Sequence, residues 1–540
     1  MFPLKNTSQT SLRWLYIYLY VLDIIKKSKF KNAYDLNKIE IDDLIKVTRN
    51  LKCKRKALQI IDKVRNGNNI VKSDLGFINL LQFESSLNES PKLSVIKESD
   101  HFNGIIDDEY LNGMVSDSKE VVHAIESGFS IIKKLNRKWS NNIVDAIETV
   151  CGIVDERDVI NSGFIKDVPG LINFNINCKT EVIGEQIVHE STHLIFDNFI
   201  FFNKKSRDFI KSIPPVYSVF VKKPRSAELV LHGLFSYSSV YIYWDHLEKN
   251  KLVNRSDSKF RKRQVKKYIE ESVKDLNNVL SVSEWNKLKQ IYSKICPLFS
   301  DDIWQINLDK NIVKNEILKS CRKIFNDIEI AELLLAIEGN KVSRLSINIK
   351  QAGDVVKILH KLPVYYCFSN FVFESAQEEN LNDFKNVITS IHQLDSYYDQ
   401  DLEIHVYLSN NKLKLKSAFI LDQKDECGSL FQIPKCCQKY FKYNWSNAVK
   451  FYNGDLARMH YGKGAFSDNE NLLYKPFGMY FGGGLCWHFP CEKNCVSTRK
   501  LIDKRIEVLS NYPSSLKKIL SHIPKKISYS KQNGYKASFQ

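Results

Sequence analysis

The chain has 540 residues, of which 43% are hydrophobic and 12% aromatic, so it is too long for a single core and we expect several domains. Lys and Arg outnumber Asp and Glu by 79 to 62, a balance that favours acidic partners such as an acidic peptide, nucleic acid or an anionic surface. No segment approaches about 18 consecutive apolar residues, so the sequence excludes a membrane-spanning helix.

The N-terminal region is predicted to be helical. Residues 12–25 are apolar apart from Arg13 and Asp23. No small-residue cleavage site follows them, so this segment predicts a buried helix rather than a signal peptide. Twelve cysteines without a secretory signal predict a cytoplasmic protein, in which clustered cysteines indicate metal or redox chemistry rather than disulfides.

A His-Glu-x-x-His motif, from His189 to His193, lies in residues 184–200, which are apolar nearly all round and predict a buried helix. Because residues four apart share one side of a helix, both imidazoles can bind one metal ion. Glu190 could then act as a base on water without binding the metal. The alternative is a pair of core histidines satisfied by hydrogen bonds. Asp197 could orient a metal-bound imidazole, or be a solvated carboxylate.

A catalytic metal needs a third protein ligand and an open position. The next histidine is His232, in the apolar residues 223–244, which predict a second helix with Pro224 at its start. Glu228 lies four residues before His232 and competes with it for the ligand role. The third ligand is therefore His232 or Glu228.

A wider set of residues matches a known pattern: His189, Glu190 and His193, then Tyr217-Ser218, Pro224-Arg225 and Leu231-His232-Gly233. With this set, roughly residues 100–300 resemble the HExxH-containing peptide-modification proteins linked to ribosomally made peptides. Those proteins are described as 2-oxoglutarate-dependent peptide β-hydroxylases. The resemblance implies Fe(II) and 2-oxoglutarate as cofactors. Residues 218–226 lack one arginine and one proline of the family pattern, so contacts with substrate or cosubstrate would differ.

Imidazole ligands suit iron as well as zinc. In the favoured interpretation His189, His193 and His232 hold Fe(II), with Glu190 as a base or positioning group beside the metal. Arg225 would bind the 2-oxoglutarate carboxylate as a bidentate pair, although a surface ion pair is the alternative role for Arg225. The function alternatives are a zinc metallopeptidase with Glu190 as general base, and a binding module in which the metal sites are structural.

Changes of pattern divide the chain into four consecutive regions. Residues 1–95 form a helical N-terminal region, 96–297 a helical HExxH metal-binding catalytic domain, 298–425 a small α/β region, and 426–540 a cysteine-rich C-terminal region. The predicted fold class is a multidomain one, with a mainly α-helical HExxH metal domain followed by an α/β or α+β cysteine-containing C-terminal domain. After residue 297 the hydrophobic pattern predicts strands at 342–349, 364–368, 402–408 and 413–420, and helices at 352–361 and 382–394.

Six of the twelve cysteines fall within residues 427–495. The candidate ligands of a second zinc ion or an iron–sulfur cluster are Cys436, Cys437, Cys491 and Cys495. Cys486 and His488 could also complete such a set. The direct adjacency of two of these cysteines weighs against their binding one ion. A redox dithiol and buried free thiols are the alternatives.

The predicted partner is a peptide or protein substrate, and no interaction with a membrane is expected. The densest basic run, residues 249–267, has no interleaved aromatic residue apart from Phe260. It therefore predicts a solvated linker and helix start rather than a base-stacking surface. The basic charge does not exclude nucleic acid, but nucleic acid is not favoured.

Overall fold

The computed structural model describes the following ranges, with a few isolated positions besides: 9–27, 59–61, 94–95, 118–147, 149–153, 162–164, 170–305, 321–339, 341–375, 388–396, 401–422, 427–452, 465–467, 485–486, 488–492, 494–521, 526–530 and 534–538. The chain divides into two compact units. The first unit comprises Met1–Phe209, Leu231–Glu270 and Asn286–Gln305, and the second comprises Ile210–Val230, Glu271–Trp285 and Ile306–Gln540. Both units are discontinuous in sequence, whereas the predicted regions are consecutive.

The first unit is mainly helical. Its small sheet has the order β1-β2-β4-β3, in which β1 (Ser94–Val95), β2 (Thr149–Ile153) and β4 (Leu171–Asn175) are parallel and β3 (Ser162–Phe164) is antiparallel to β4. The helices that lie wholly or mostly in this unit are α1 (Gln9–Lys27), α2 (Ser118–Leu135), α3 (Arg137–Ala146), α4 (Thr180–Phe202), α5 (Lys204–Lys211), α6 (Ala227–Lys249), α7 (Arg255–Asn277) and α8 (Val282–Ile295).

Helix α4 lies at the centre of the first unit, as its apolar sequence predicts. It packs against α2 and against β4, whose five residues are all buried. A pair of hydrogen bonds fixes the strand to the helix, because the Gln186 side chain accepts from the Asn175 backbone N–H (2.9 Å) and donates to its carbonyl (3.1 Å). The Tyr243 hydroxyl of α6 donates to the Glu181 carbonyl (2.9 Å) beside Gly184. These contacts hold the HExxH motif in a rigid frame.

The second unit contains a four-stranded antiparallel sheet of order β7-β10-β8-β9. Its strands are β7 (Ser343–Asn348), β8 (Tyr365–Ser375), β9 (Ile388–Gln393) and β10 (Glu403–Ser409). A hairpin of β5 (Val216–Ser218) and β6 (Lys223–Arg225) and a three-stranded sheet of β11 (Ala465–Ser467), β12 (Lys526–Ser530) and β13 (Gly534–Ser538) complete its strands. The helices of this unit are α9 (Asp327–Glu338), α10 (Ala352–Leu359), α11 (Lys412–Asp422), α12 (Lys435–Tyr452), α13 (Val496–Ser510) and α14 (Pro513–Ser521).

The predicted strand at residues 413–420 is wrong, because these residues form α11. The alternation of Lys and Leu suggested a strand, but the Asn411 side chain accepts hydrogen bonds from the backbone N–H groups of Leu413 (2.9 Å) and Lys414 (3.1 Å) and so starts a helix. The helix predicted over residues 382–394 is also wrong where the structure describes it, since β9 pairs there with β8. In both places a contact outside the local hydrophobic pattern decides the structure.

The second helix near the motif begins later than predicted. Pro224 belongs to β6, where it stands opposite Tyr217 of β5, and α6 starts at Ala227.

The predicted N-terminal helix is confirmed as α1, while most of residues 1–95 lies outside the described ranges. The described residues contain more helix than sheet, and they form two compact units. The predicted multidomain, mainly helical fold class is therefore confirmed at this coarse level. Among the helices described, none has the length and hydropathy needed to cross a membrane.

Candidate metal centre

The HExxH motif places three potential ligands together on α4. The Nε2 atoms of His189 and His193 stand 3.2 Å apart, and the carboxyl of Glu190 lies 3.9 Å from the Nε2 of His189. One ligand atom from each of the three residues lies within 4.8 Å of the others. The two histidines are partly exposed, while Glu190 is buried. The two imidazoles are therefore accessible to solvent, and the carboxyl is not.

The charge states of these side chains suit a cation. Burial and, to a smaller extent, the positive charge of Arg261 lower the pKa of His189 to about 4. Burial also holds the pKa of His193 well below its usual value. Both imidazoles are thus neutral at neutral pH, which is the form that binds a metal. Burial raises the pKa of Glu190 to about 8, although a hydrogen bond that the Ser162 hydroxyl donates to the carboxyl (2.6 Å) acts to lower the pKa. The donor set fits a divalent cation, whose charge would favour the carboxylate.

His232 lies beside this group but not within it. Its Nδ1 atom stands 3.1 Å from the Nδ1 of His193, and the two rings are stacked with centroids 5.3 Å apart. His193 faces His189 with its other ring nitrogen, so His232 contacts the opposite side of that imidazole. The structure thus brings Glu190, rather than His232, into the three-residue group. The assignment of His232 as a metal ligand stays a prediction.

Asp197 has neither of the roles that its sequence position suggested. It forms a buried ion pair with Arg13 of α1, and Arg13 also donates a hydrogen bond to Asn198 (3.4 Å). The Arg13 guanidinium lies over the ring of Phe201, 5.1 Å from its centroid. The carboxylate therefore attaches α1 to α4 instead of orienting an imidazole.

A buried network supports the motif from the preceding turn of α4. The carboxylate of Glu185 accepts hydrogen bonds from Trp244 Nε1 (2.6 Å) and from Arg261 Nε (2.9 and 3.0 Å), and Arg261 Nη2 also pairs with it. The ring of Tyr237 packs edge-on against His189, with centroids 4.9 Å apart. The sequence did not indicate these residues, because Arg261 stands in the basic run that predicted a solvated linker. The one available signal was a glutamate four residues before His189 in an apolar helix.

Arg225 and Glu228 belong to the second unit, whereas the three-residue group belongs to the first. Arg225 is the last residue of β6, and its Nε atom is buried without a hydrogen bond to any of the residues described. Glu228 lies in the first turn of α6. Their predicted roles, as cosubstrate anchor and as alternative third ligand, stay predictions.

The predicted cysteine group does assemble in the second unit. The sulfur atoms of Cys436, Cys437, Cys491 and Cys495 all lie within 4.8 Å of one another. The adjacency of Cys436 and Cys437 does not keep their thiols apart, because both lie in the first turn of α12 with their sulfur atoms 3.8 Å apart. Whether they bind one ion stays a prediction. Cys486 and His488 stay outside this group of four, and Cys486 donates a hydrogen bond to the His488 carbonyl (3.3 Å).

No protein-family model matches this chain, and no curated protein matches it in sequence. The resemblance to peptide β-hydroxylases stays a prediction from the motif residues that carry it.

Proposed function

We propose that this protein is a metal-dependent enzyme that modifies a peptide or protein, with the three-residue group on α4 as its catalytic centre. One observation carries the proposal. The Nε2 atoms of His189 and His193 stand 3.2 Å apart, and the buried carboxyl of Glu190 joins them in one potential ligand group. A structural metal site is normally closed by four protein ligands, whereas three leave room for substrate.

Within that class, we favour hydroxylation of a peptide side chain with Fe(II) and 2-oxoglutarate. Two imidazoles and one carboxylate on one side of the metal are the ligand set of many non-haem iron oxygenases. When bound, iron and 2-oxoglutarate would supply the oxidation of a C–H bond by O₂. One oxygen atom enters the side chain, the other enters succinate, and CO₂ leaves. The motif likeness to peptide β-hydroxylases supports this chemistry and the substrate class.

Arg225 would anchor the distal carboxylate of 2-oxoglutarate. A guanidinium can bind a carboxylate through two parallel hydrogen bonds, which fix its orientation as well as its charge. The buried Nε of Arg225 has no hydrogen-bond partner among the described residues, as expected of a donor that is kept for a ligand.

A zinc peptidase is the second candidate, and the surroundings of Glu190 favour it specifically. The side chain is buried, it accepts a hydrogen bond from Ser162, and burial brings its pKa to about 8. A buried carboxyl beside the metal suits the transfer of a proton from water to a leaving amine. In that reaction Glu190 would be the general base and would not bind the metal.

A binding experiment tests the hydroxylase assignment. We would titrate 2-oxoglutarate into the Fe(II)-loaded protein without oxygen and compare Arg225→Ala with Arg263→Ala, which removes an exposed arginine. Because hydrogen bonds to charged groups contribute about 1.5–3 kcal/mol each, Arg225→Ala should weaken 2-oxoglutarate binding at least about tenfold. Iron binding should be unchanged in both variants.

The opposite pattern would support the peptidase. In that case neither arginine variant would change 2-oxoglutarate binding, the protein would retain zinc through purification, and it would cleave unstructured peptides. Glu190→Gln should then abolish cleavage while leaving the zinc bound.

A further inference from the structure

The cysteine group of the second unit is drawn from two segments of the chain. Cys436 and Cys437 lie in the first turn of α12, and Cys491 and Cys495 precede α13. We propose that these four thiolates bind a structural zinc ion, and that this ion attaches α12 to the rest of the second unit. The proposal is independent of the chemistry at the HExxH motif.

The spacing of the sulfur atoms fits a single tetrahedral ion. Zinc binds thiolates at about 2.3 Å, and a tetrahedron has an edge about 1.63 times its centre-to-corner distance, so the sulfurs around one zinc stand about 3.8 Å apart. The Sγ atom of Cys495 lies 3.8 Å from that of Cys436 and 3.7 Å from those of Cys437 and Cys491. The two adjacent cysteines are 3.8 Å apart.

This spacing also separates zinc from the other thiol chemistries. An iron–sulfur cluster places several irons and sulfides between its cysteines, which must then stand further apart than the ligands of one ion. A disulfide needs two sulfurs at about 2.05 Å, and all four cysteines are free. Four protein thiolates leave no open position, which is the arrangement of structural rather than catalytic zinc.

Two helix ends favour the negative charge of the thiolates. The first turn of α12 carries Cys436 and Cys437, and Cys495 caps the N-terminus of α13, where its sulfur accepts a hydrogen bond from the Thr498 N–H (3.5 Å). The positive end of a helix dipole and its unpaired N–H groups stabilise an anion. The positive ends of the two helices therefore lie beside three of the four sulfurs, those of Cys436, Cys437 and Cys495.

A short hydrogen-bonded chain orients one of the ligands. The Thr498 hydroxyl lies 3.4 Å from Cys437 Sγ and 2.9 Å from His488 Nε2, and all three groups are buried. The Nδ1 of His488 has no hydrogen-bond partner in the described part of the chain. If the imidazole proton is on Nδ1, the Thr498 hydroxyl must donate to Nε2 and the Cys437 sulfur accepts no hydrogen bond from it; if the proton is on Nε2, both the Thr498 oxygen and the Cys437 sulfur can accept a hydrogen bond. The imidazole then donates to Thr498, and Thr498 donates to the Cys437 thiolate. Such outer contacts set the orientation of metal ligands.

The packing of the two helices shows why a metal would matter here. Ile502 and Leu509 of α13 belong to the hydrophobic core of the second unit. Among the side chains of α12 that are described, only Cys437 and Ala448 are fully buried, and several large ones are exposed, including Phe441 (41%) and Tyr443 (81%). Apolar burial therefore contributes little to holding α12 in place, and metal binding supplies folding free energy to such an element.

The direct test is the metal content of the full chain with each site removed in turn. His189→Ala/His193→Ala should retain one zinc per chain, and adding Cys491→Ser/Cys495→Ser should remove it. Cys178→Ser, in the first unit, is the control for loss of a thiol and should change nothing. Replacement of the retained zinc by Co(II) should give the visible absorption of tetrahedral thiolate coordination.

Because a cysteine variant could fail to fold, the wild-type chain provides a second measurement. Titration with an organomercurial should release this zinc as four thiols react. Hydrogen exchange should then accelerate throughout residues 435–452 and much less in α13. Thr498→Val should weaken zinc binding about 10-fold or more, whereas Thr498→Ser should retain it.

Three results would overturn the proposal. Iron with acid-labile sulfide in the His189→Ala/His193→Ala protein would show a cluster instead of zinc. A metal-free protein with a disulfide among the four cysteines would show a redox pair. Equal exchange rates in residues 435–452 with and without metal would show that the ion does not hold α12.

Discussion

The two potential metal sites of this chain are built in opposite ways. The HExxH group lies within one helix that other elements of the first unit bury on nearly every side, and it offers three ligands. The cysteine group lies at the starts of two helices, one of them largely exposed, and it offers four. The first frame is held by apolar packing, whereas we propose that the second depends on the metal. This difference is what separates a catalytic site, which must stay open, from a structural one.

The strongest way to sharpen this comparison is to remove a ligand from the HExxH group. Loss of an outer-shell partner of a metal ligand costs 10- to 100-fold in activity or affinity, so His193→Ala should lower turnover by at least about 100-fold. The melting temperature of the first unit should change little, because apolar packing holds α4. Metal content, turnover and melting temperature would be measured on one preparation of each variant, the last by calorimetry. A collapse of the first unit would show that its frame, too, depends on the metal.

The second test concerns the buried network that precedes the motif. Arg261→Met would leave the Glu185 carboxylate buried without its cation, and breaking a buried pair in this way costs about 3 kcal/mol or more. Chemical denaturation should show this loss in the first unit and leave the zinc of the second unit in place. The matched double variant Glu185→Gln/Arg261→Met should recover part of the stability. If the single variant is as stable as the wild type, the network does not support the motif.

A smaller effect is expected at Gly184, which lies beside Tyr243 in the first unit. A Cβ atom at position 184 would clash with the Tyr243 hydroxyl and break its hydrogen bond to Glu181. Forcing extra volume into a packed interior costs about 1–3 kcal/mol, so Gly184→Ala should destabilise the protein although alanine favours helices. Gly184→Ala in a Tyr243→Phe background should cost less. A stabilised Gly184→Ala variant would show that α4 and α6 are loosely packed.

The smallest expected effect is a pH dependence of the metal-free protein. Burial raises the pKa of Glu190 from 4.5 to about 8, so the folded chain holds a proton that the unfolded chain releases. This contribution to stability is complete below pH 4.5 and is lost as the pH rises through about 8. Burial lowers the pKa of His189 from 6.5 to about 4, and its contribution is lost as the pH falls through that lower range.

Between pH 6.5 and 8 other groups also titrate, because burial lowers the pKa of Lys341 to about 7. The Glu190 contribution is therefore measured against Glu190→Gln: relative to that variant, the melting temperature of the metal-free wild type should fall over this interval. Bound metal should remove this relative fall, because a cation favours the carboxylate. An unchanged slope in Glu190→Gln would assign the titration to another group.

Much of this organisation could be predicted from local pattern. The HExxH helix, the N-terminal helix and the cysteine group follow from periodicity and from ligand type, and the structure confirms that each assembles. The ion pairs Arg13–Asp197 and Glu185–Arg261 could not be predicted, because they join residues far apart in sequence. The sequence placed all four cysteines in one candidate group, although the direct adjacency of Cys436 and Cys437 weighed against a shared ion.

The central claim is that the HExxH group is an oxidative catalytic centre. The most direct measurement is succinate formation by the Fe(II)-loaded protein with O₂ and 2-oxoglutarate, with Glu190→Gln and His193→Ala beside the wild type. We expect slow succinate release by the wild type even without a peptide substrate, and release at background level by His193→Ala. Absence of succinate from the iron-loaded wild type, together with peptide cleavage by a zinc-loaded sample, would contradict it.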